Sequence, residues 1–182
     1  ARIEASHDLS AGAGRDIAPV GGVLKSGNDT TLRAARNMNI TAAEQVDSHT
    51  QGSKHRDQTI TQNGSSVTVG RDLQAAAGGD LNVIASQVEA KRNLAIVATK
   101  NLTLGPAANE QHSYGQSKKV KSIEDHVQQV STTLKAGGDA TLSAGQDLTL
   151  VASTVNAGNE AYLVAGNNLA LKAAADQDYS FY

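Results

Sequence analysis

Apolar and polar residues alternate in short runs along most of this chain. In the first block the apolar members come in pairs two positions apart, with one polar residue between them: Leu9 and Ala11 around Ser10, Leu32 and Ala34 around Arg33, and Met38 and Ile40 around Asn39. This alternation is typical of strands that bury one face. The same pattern predicts an inward position for Leu81, Val83, Leu94, Ile96, Leu102, Leu142, Leu148, Leu150, Leu163 and Leu171.

A polar residue precedes each strand, and these residues follow a fixed spacing of 8, 13 and 8 positions. Twelve residues obey the rule in three sets: Asp8, Asp16, Asp29 and Asn37; Asp72, Asp80, Asn93 and Asn101; and Asp139, Asp147, Glu160 and Asn168. The pattern therefore returns after about 21 residues, and an internal period of this size is typical of a solenoid.

The longer gap in this spacing contains a third strand. Five positions before Asp29, Asn93 and Glu160 stand Leu24, Val88 and Val155, and two positions further on stand Ser26, Ala90 and Ala157. We therefore predict an all-β fold, a right-handed parallel β-helix with three short strands in each coil of about 21 residues. An antiparallel sandwich also has short alternating strands, but its loops would not keep a fixed return along the chain.

The rhythm breaks twice, at about 44–66 and 105–132. The offset from Asp8 to Asp72 is close to the offset from Asp72 to Asp139, so both insertions fall at equivalent points of three tandem units, about 3–66, 67–132 and 133–182. We expect one β-helix segment over 1–182 with projecting β-hairpins. A short helix with Val120, Ile123, Val127 and Val130 on one face, or an extra irregular coil, are the alternatives.

Composition limits the classes of fold and partner that we expect for this chain. Aromatic residues make up 3% of the chain, with no Trp, which predicts a thin core. A net charge of −2 gives no reason to expect a nucleic-acid partner. The sequence has no run of about 18 apolar residues that would predict a membrane helix. The start at Ala1 and the lack of capping sequences lead us to expect a segment of a longer rod.

The sequence offers few candidates for a chemical site. We expect the turn Asp and Asn residues to cap their turns rather than bind calcium, because the nonapeptide spacing of calcium repeats is missing. Along one strand, His49 and His55 would lie about 20 Å apart, too far to share a metal. We expect no catalytic, cofactor or metal residue. The possible partner contacts lie in the insertions and are His49, Lys54, His55, Arg56, Tyr114, Lys118, Lys119 and Lys121.

The Gly-Asp segments at 78–83, 137–150 and 166–171 resemble the haemagglutinin repeats of filamentous-haemagglutinin-type exoproteins. The resemblance implies a secreted protein of the bacterial cell surface, exported by an outer-membrane two-partner secretion transporter. It also implies adhesion, or toxin delivery in contact-dependent growth inhibition, through a receptor or the outer membrane of a target cell. Long insertions are similar to those of the second repeat region of growth-inhibition effectors.

We therefore expect a structural and interaction rod without enzyme activity. The alternative is a carbohydrate-active β-helix, a polysaccharide lyase or hydrolase. That class needs several carboxylates, or carboxylates with Arg or Lys, converging on one outward face. The outward positions beside the core strands are mostly Thr, Gln, Asn, Ser and Ala.

Overall fold

The computed structural model describes residues 1–52 and 54–182, which form strands joined by short turns. In chain order the strands are β1 (Arg2–Ala5), β2 (Leu9–Ala13), β3 (Val23–Ser26), β4 (Thr30–Ala34), β5 (Met38–Thr41), β6 (Ala43–Gln51), β7 (His55–Asn63), β8 (Ser66–Val69), β9 (Leu73–Ala77), β10 (Leu81–Ile84), β11 (Gln87–Ala90), β12 (Leu94–Ala98), β13 (Leu102–Gly105), β14 (Ala107–Gln116), β15 (Lys121–Val130), β16 (Thr133–Ala136), β17 (Ala140–Ala144), β18 (Leu148–Val151), β19 (Thr154–Ala157), β20 (Ala161–Ala165), β21 (Leu169–Lys172) and β22 (Gln177–Phe181).

Three parallel sheets form the rod. Sheet 1 has the order β1-β3-β8-β11-β16-β19, sheet 2 the order β2-β4-β9-β12-β17-β20, and sheet 3 the order β5-β10-β13-β18-β21. One coil passes through sheets 1, 2 and 3 in turn and then enters the next coil. Parallel pairing throughout these sheets confirms the β-helix and excludes the antiparallel sandwich for the rod.

Adjacent coils stack in a constant register. Leu73 pairs with Leu94, and Leu81 pairs with Leu102. Hydrogen bonds link residues at equivalent positions of adjacent coils. These residues are 21 positions apart in the sequence where the chain continues directly, and 43 or 46 apart where a hairpin intervenes. Each side chain therefore lies above its equivalent in the coil before, which is how short strands acquire a continuous core.

The core is a narrow column of aliphatic side chains. Eight of the ten predicted core residues are buried, with exposed fractions of 0–7%: Leu81, Val83, Leu94, Ile96, Leu102, Leu142, Leu148 and Leu150. Leu163 is half-buried against this column. The prediction is wrong for Leu171, which is 69% exposed. Its strand β21 lies at the edge of sheet 3, where it pairs with β18, and within the described residues no further coil covers the side chain.

The twelve spaced polar residues form two ladders that join the coils. At the corner between sheets 1 and 2, the side-chain oxygen of every member before Glu160 accepts a hydrogen bond from the backbone N–H of the equivalent residue in the next coil, as Asp72 does from Asn93 at 3.0 Å. At the corner between sheets 2 and 3, Asp80 accepts from the N–H of Asn101 in the same way. The ten bonds of the two ladders measure 3.0–3.3 Å.

These ladders correct the expectation that each Asp or Asn caps its own turn. The acceptor is the predicted side chain, but the donor lies in the neighbouring coil. Ion pairs then balance three of the carboxylates: Arg36 bonds Asp16 at 2.6 Å, Arg71 approaches Asp29 to 3.6 Å and Arg92 approaches Asp72 to 3.2 Å. The Arg36 guanidinium, followed by the Asn37 N–H, lowers the pKa of Asp16 below its ordinary value.

The corner between sheets 3 and 1 has a third ladder, built from hydroxyl groups. Ser65, Ser86 and Thr132 are buried there. Ser65 accepts from the Gly22 N–H at 3.1 Å and donates to the Thr41 carbonyl at 2.7 Å, and Ser86 accepts from the Ser65 N–H at 3.1 Å. Buried polar groups need such partners. Sequence reasoning missed this ladder, although Ser65 and Ser86 are also 21 residues apart.

The glycines at the other two corners allow close stacking. A Cβ atom on Gly145 would lie 2.1 Å from the Thr99 carbonyl oxygen, and one on Gly78 would lie 2.2 Å from that of Ala35. Neither glycine has a positive φ. The missing side chain at these positions therefore leaves room for the carbonyl group of the coil before.

The described residues contain no helix that is long and apolar enough to cross a membrane.

Candidate interaction surface on the hairpin sheet

A fourth sheet projects from the corner between sheets 3 and 1. Strands β6 and β7 form one antiparallel hairpin, and β14 and β15 form a second. Strand β7 pairs with β14, and β15 pairs with β22, which gives a five-stranded hairpin sheet with the order β22-β15-β14-β7-β6. Paired strands are therefore the correct prediction for both insertions, and the described residues of the insertions form neither a helix nor an irregular coil.

The spacing of the hairpins explains why they can pair with one another. They leave the rod at every second coil. The intervening coil passes the same corner in two residues, Ala85 at a φ of 46° and Ser86. Two coils advance the rod by about 9.5 Å, at about 4.7–4.9 Å per parallel strand. A hairpin is two strands wide and therefore occupies the same length of rod. Successive hairpins meet edge to edge without bending.

Two equivalent side chains close the joints between hairpins near the rod. The Gln62 N–H donates to Asn109 Oδ1 at 2.7 Å, and the Gln129 N–H donates to Asp176 Oδ1 at 2.7 Å. Farther out, Ser113 Oγ donates to Asp57 Oδ1 at 2.8 Å across the junction of β7 and β14. Backbone pairing and these side chains together hold the sheet.

The two faces of the hairpin sheet differ in chemistry. The register places the larger apolar residues beyond the base on one side, which we call the apolar face: Val46, Ile60, Tyr114, Ile123, Val127, Tyr179 and Phe181. The opposite side, the polar face, carries His49, Asp57, Ser113, Glu124 and His126 among others. None of these residues is buried; Phe181, for example, is 49% exposed.

The eight predicted contact residues all lie in the outer part of this sheet. Arg56, Tyr114 and Lys121 share the apolar face, where Tyr114 pairs with Arg56 and the Lys121 Nζ lies 5.7 Å from the centre of the Tyr114 ring. His49 and His55 lie on the polar face. The last three occupy the turns at the tips: Lys54, Lys118 and Lys119. The fold thus places five basic residues and Tyr114 at the outer end of the sheet.

His49 and His55 are closer together than the sequence predicts. The chain reverses between them, so His49 lies opposite Asp57, and His55 lies opposite Gln51 on the adjacent strand. The prediction assumed one continuous strand. Even so, the described residues contain no group of three or more His, Asp or Glu side chains that could hold a metal ion.

Three histidines bond carboxylates in the sheet, a feature that sequence reasoning missed. His112 Nδ1 lies 2.8 Å from Asp125 and its Nε2 lies 3.0 Å from Glu110. The Asp125 carboxylate, followed by that of Glu110, raises the pKa of His112 above its ordinary value. His126 bonds Asp178 at 2.7 Å, and His55 approaches Asp57 to 3.0 Å. The strand register is needed to find the pairs of His112 with Asp125 and of His126 with Asp178, whose partners are 13 and 52 residues apart.

Comparison with known proteins finds relatives that are similar in sequence to this chain. The chain is 30% identical over 165 residues to the tRNA nuclease CdiA of Escherichia coli (strain STEC_O31), an alignment that covers 83% of the chain and 5% of that protein. It is 32% identical over 151 residues to the deoxyribonuclease CdiA of Dickeya dadantii (strain 3937), covering 80% and 4%. The chain thus spans only about a twentieth of these relatives. No solved structure matches it.

A family model described as hemagglutinin repeat matches residues 1–58, 46–123 and 112–180. These three overlapping matches span almost the whole chain, and they confirm the resemblance drawn from the Gly-Asp segments. The chain therefore belongs to the hemagglutinin repeat family, as found in filamentous-haemagglutinin-type exoproteins.

Proposed function

We propose that this chain is a rod segment of a large secreted exoprotein that acts in contact-dependent growth inhibition or in adhesion. The repeat match, the two CdiA relatives and the small share of those relatives that the chain spans support this proposal. In it, the parent protein leaves the cell through an outer-membrane two-partner secretion transporter and stands at the cell surface. The nuclease activity in the relatives' names belongs to those proteins, and we assign this segment no catalysis.

The observation that carries the proposal is the hairpin sheet itself. The rod core is fixed by packing, since a buried Leu or Val cannot change without a cavity or a clash. The hairpins place 9- and 10-residue strands outside that core, and they align into one surface along the rod. Such a surface can change its chemistry while the rod keeps its length.

The tips of the hairpins suit a negatively charged target. Arg56 and Lys121 neighbour Tyr114, and the turns at the tips carry Lys54, Lys118 and Lys119. Aromatic and Arg side chains are common anchors in recognition. In our proposal the tips contact a receptor or the outer membrane of the target cell. The comparisons do not favour the carbohydrate-active alternative, because neither relative is named as a lyase or a glycoside hydrolase.

The hairpins can be removed without breaking the rod, because the protein already contains the same corner without a hairpin. In one coil the chain runs Ile84-Ala85-Ser86-Gln87 directly from sheet 3 to sheet 1. Deleting 43–64 joins Thr41-Ala42 to Ser65-Ser66, which are the equivalents of those four residues. Deleting 107–131 joins Gly105-Pro106 to Thr132-Thr133. This second joint needs Pro106→Gly, because proline cannot adopt the positive φ of Ala85.

The test is made in the parent exoprotein with both deletions together. We expect normal secretion and an unchanged β-sheet circular dichroism spectrum of the segment, with reduced attachment to target cells or reduced growth inhibition. Lys118→Glu with Lys119→Glu should give part of the same loss, whereas Lys91→Glu with Lys100→Glu on the rod is the matched control. Full attachment and inhibition after the double deletion would leave the segment as a spacer only.

A further inference from the structure

A small hollow lies at the outer end of the hairpin sheet, between the first two hairpins. It has a volume of about 430 Å³, within the range of small-ligand sites, and is lined by Thr50, Gly52, His55, Arg56 and Tyr114. Three of these residues form one row on the apolar face, because Thr50 lies opposite Arg56, and Arg56 lies opposite Tyr114. Strand pairing therefore sets a hydroxyl, a guanidinium and an aromatic ring side by side.

The Arg56 guanidinium is an unpaired charge in this hollow. On the rod, the guanidinium groups of Arg36 and Arg92 form ion pairs with ladder carboxylates, whereas Arg56 forms none within residues 1–52 and 54–182. Its neighbour Asp57 lies on the polar face and accepts from Ser113 at 2.8 Å. A guanidinium presents a planar fork of N–H donors, which matches the two oxygens of a carboxylate. Arg56 is therefore available to an acidic ligand.

The Tyr114 ring forms the apolar wall of the hollow. Its hydroxyl donates to Gln116 Oε1 at 2.8 Å, and the Lys121 Nζ lies over the ring at 5.7 Å from its centre. Lys121 does not line the hollow, so the part of the ring toward Arg56 is left for a ligand. A pyranose sugar has a face of C–H groups that can pack on such a ring, and hydroxyl groups at its rim that need polar partners.

The charges around the hollow favour an acidic sugar over a neutral one. Lys54 and Lys119 lie in the two turns at the tips, beside the hollow. On the apolar face, Asp125 stands one row farther toward the rod, opposite His112, and it bonds that imidazole at 2.8 Å. Its negative charge is therefore opposed by a partner, while the lysines in the turns carry positive charge beside the hollow.

We propose that this hollow binds a sugar that carries a carboxylate. The carboxylate bonds the Arg56 guanidinium, the C–H face of the ring packs on Tyr114, and a sugar hydroxyl bonds Thr50. The inference rests on the proposed function, since the sugar belongs to the surface of the target cell. It assigns the hollow binding and no catalysis.

NMR titration of the full chain with methyl glucuronide tests the charge recognition. Methyl glucoside has the same ring without the carboxylate and is the matched control ligand. We expect saturable shifts of the resonances of Thr50, Arg56 and Tyr114 with the glucuronide only. Arg56→Lys keeps the charge but loses the fork, and it should weaken binding about tenfold. Lys119→Gln removes a charge outside the hollow and should change binding by less than about twofold at physiological salt.

Two substitutions of Tyr114 test the stacking. Tyr114→Leu removes the ring and should weaken glucuronide binding about threefold to tenfold. Tyr114→Phe keeps the ring and loses only the bond to Gln116, so binding should stay close to that of the unmodified chain. Unchanged circular dichroism spectra show that the variants keep the fold.

Four outcomes would overturn the proposal. They are the absence of saturable glucuronide binding, equal binding of methyl glucoside, equal weakening by Arg56→Lys and Lys119→Gln, and equal weakening by Tyr114→Leu and Tyr114→Phe. Tighter binding of glucose 6-phosphate than of the glucuronide would also overturn it, because the hollow would then recognise phosphate. The hairpin deletions in the parent exoprotein test the proposed function separately, since attachment through other parts of the hairpin sheet does not require this hollow.

Discussion

The ladder between sheets 2 and 3 alternates acids and amides, and Asn101→Asp tests what that alternation does. Its members are Asp16, Asn37, Asp80, Asn101, Asp147 and Asn168. Asn101 lies between Asp80 and Asp147, carries no charge and donates its amide to Asp80 at 2.9 Å. The substitution replaces this donor by a carboxylate and places three negative charges in consecutive coils.

The magnitude follows from the coil spacing. Two unit charges about 4.8 Å apart repel by roughly 0.9 kcal/mol at the dielectric constant of water, and by about four times more at the value of 20 used for partly buried pairs. Because the ladder residues are only half-buried, we take the lower limit. Two neighbours then give about 2 kcal/mol, which corresponds to a fall of roughly 4–8 °C in Tm for a chain of this size.

Thermal unfolding followed by circular dichroism at pH 7 and at pH 3 measures this effect. The fall in Tm should be present at pH 7 and largely vanish at pH 3, where most carboxyl groups are protonated. Asn156→Asp adds the same charge on an exposed strand position paired with Lys135, and it should change Tm little. An equal shift in both variants, or a shift independent of pH, would refute the reasoning.

Three further predictions concern packing, metal and pH. Leu148→Ala removes a side chain with no exposed surface and should lower the free energy of unfolding by about 2–5 kcal/mol, whereas Leu171→Ala, at a position that is 69% exposed, should lower it little. Urea unfolding compares the two variants. Equal losses would contradict the burial of Leu148 in the core column. Chelators and added calcium should leave Tm unchanged, because the ladder carboxylates already bond backbone N–H groups; a rise of many degrees with calcium would contradict this. The pKa of His112 is raised in the folded chain. The stability that its ion pairs contribute is therefore complete below the unfolded pKa near 6.5, and it is lost as the pH rises through the folded pKa. The stability gained between pH 8.5 and pH 6 should therefore shrink in His112→Gln, and an unchanged pH dependence would contradict the pairing.

The sequence predicts the rod well because the rod is produced by a hydrophobic pattern that is local within each strand and periodic along the chain. Alternation fixes which side chains face inward, and the regular return of the pattern fixes the stacking of Leu81 on Leu102. It predicts Leu171 wrongly because burial depends on a neighbouring coil, not on the strand itself. It identifies the ladder residues but not their donors, because a short polar side chain can reach its own turn or the next coil.

The interaction surface is less visible in the sequence. The insertions and their basic tips can be read directly, and strands are favoured there over a helix. The pairing of the hairpins into one sheet cannot be predicted from the sequence, because it depends on a match between the width of one hairpin and the length of two coils along the rod. The pair of His126 with Asp178 and that of Ser113 with Asp57 exist only once this match brings separate hairpins together.

The central claim is that hairpins from alternate coils pair into one sheet beside the rod, and a disulfide across two hairpins tests it most directly. Asp57 and Ser113 lie opposite each other on β7 and β14. The account predicts that Asp57→Cys with Ser113→Cys oxidises to an intramolecular disulfide with an unchanged circular dichroism spectrum, while Gln58→Cys with Ser113→Cys, on opposite faces, does not. Failure of the first pair to oxidise in the folded chain, or equal oxidation of both pairs, would contradict it.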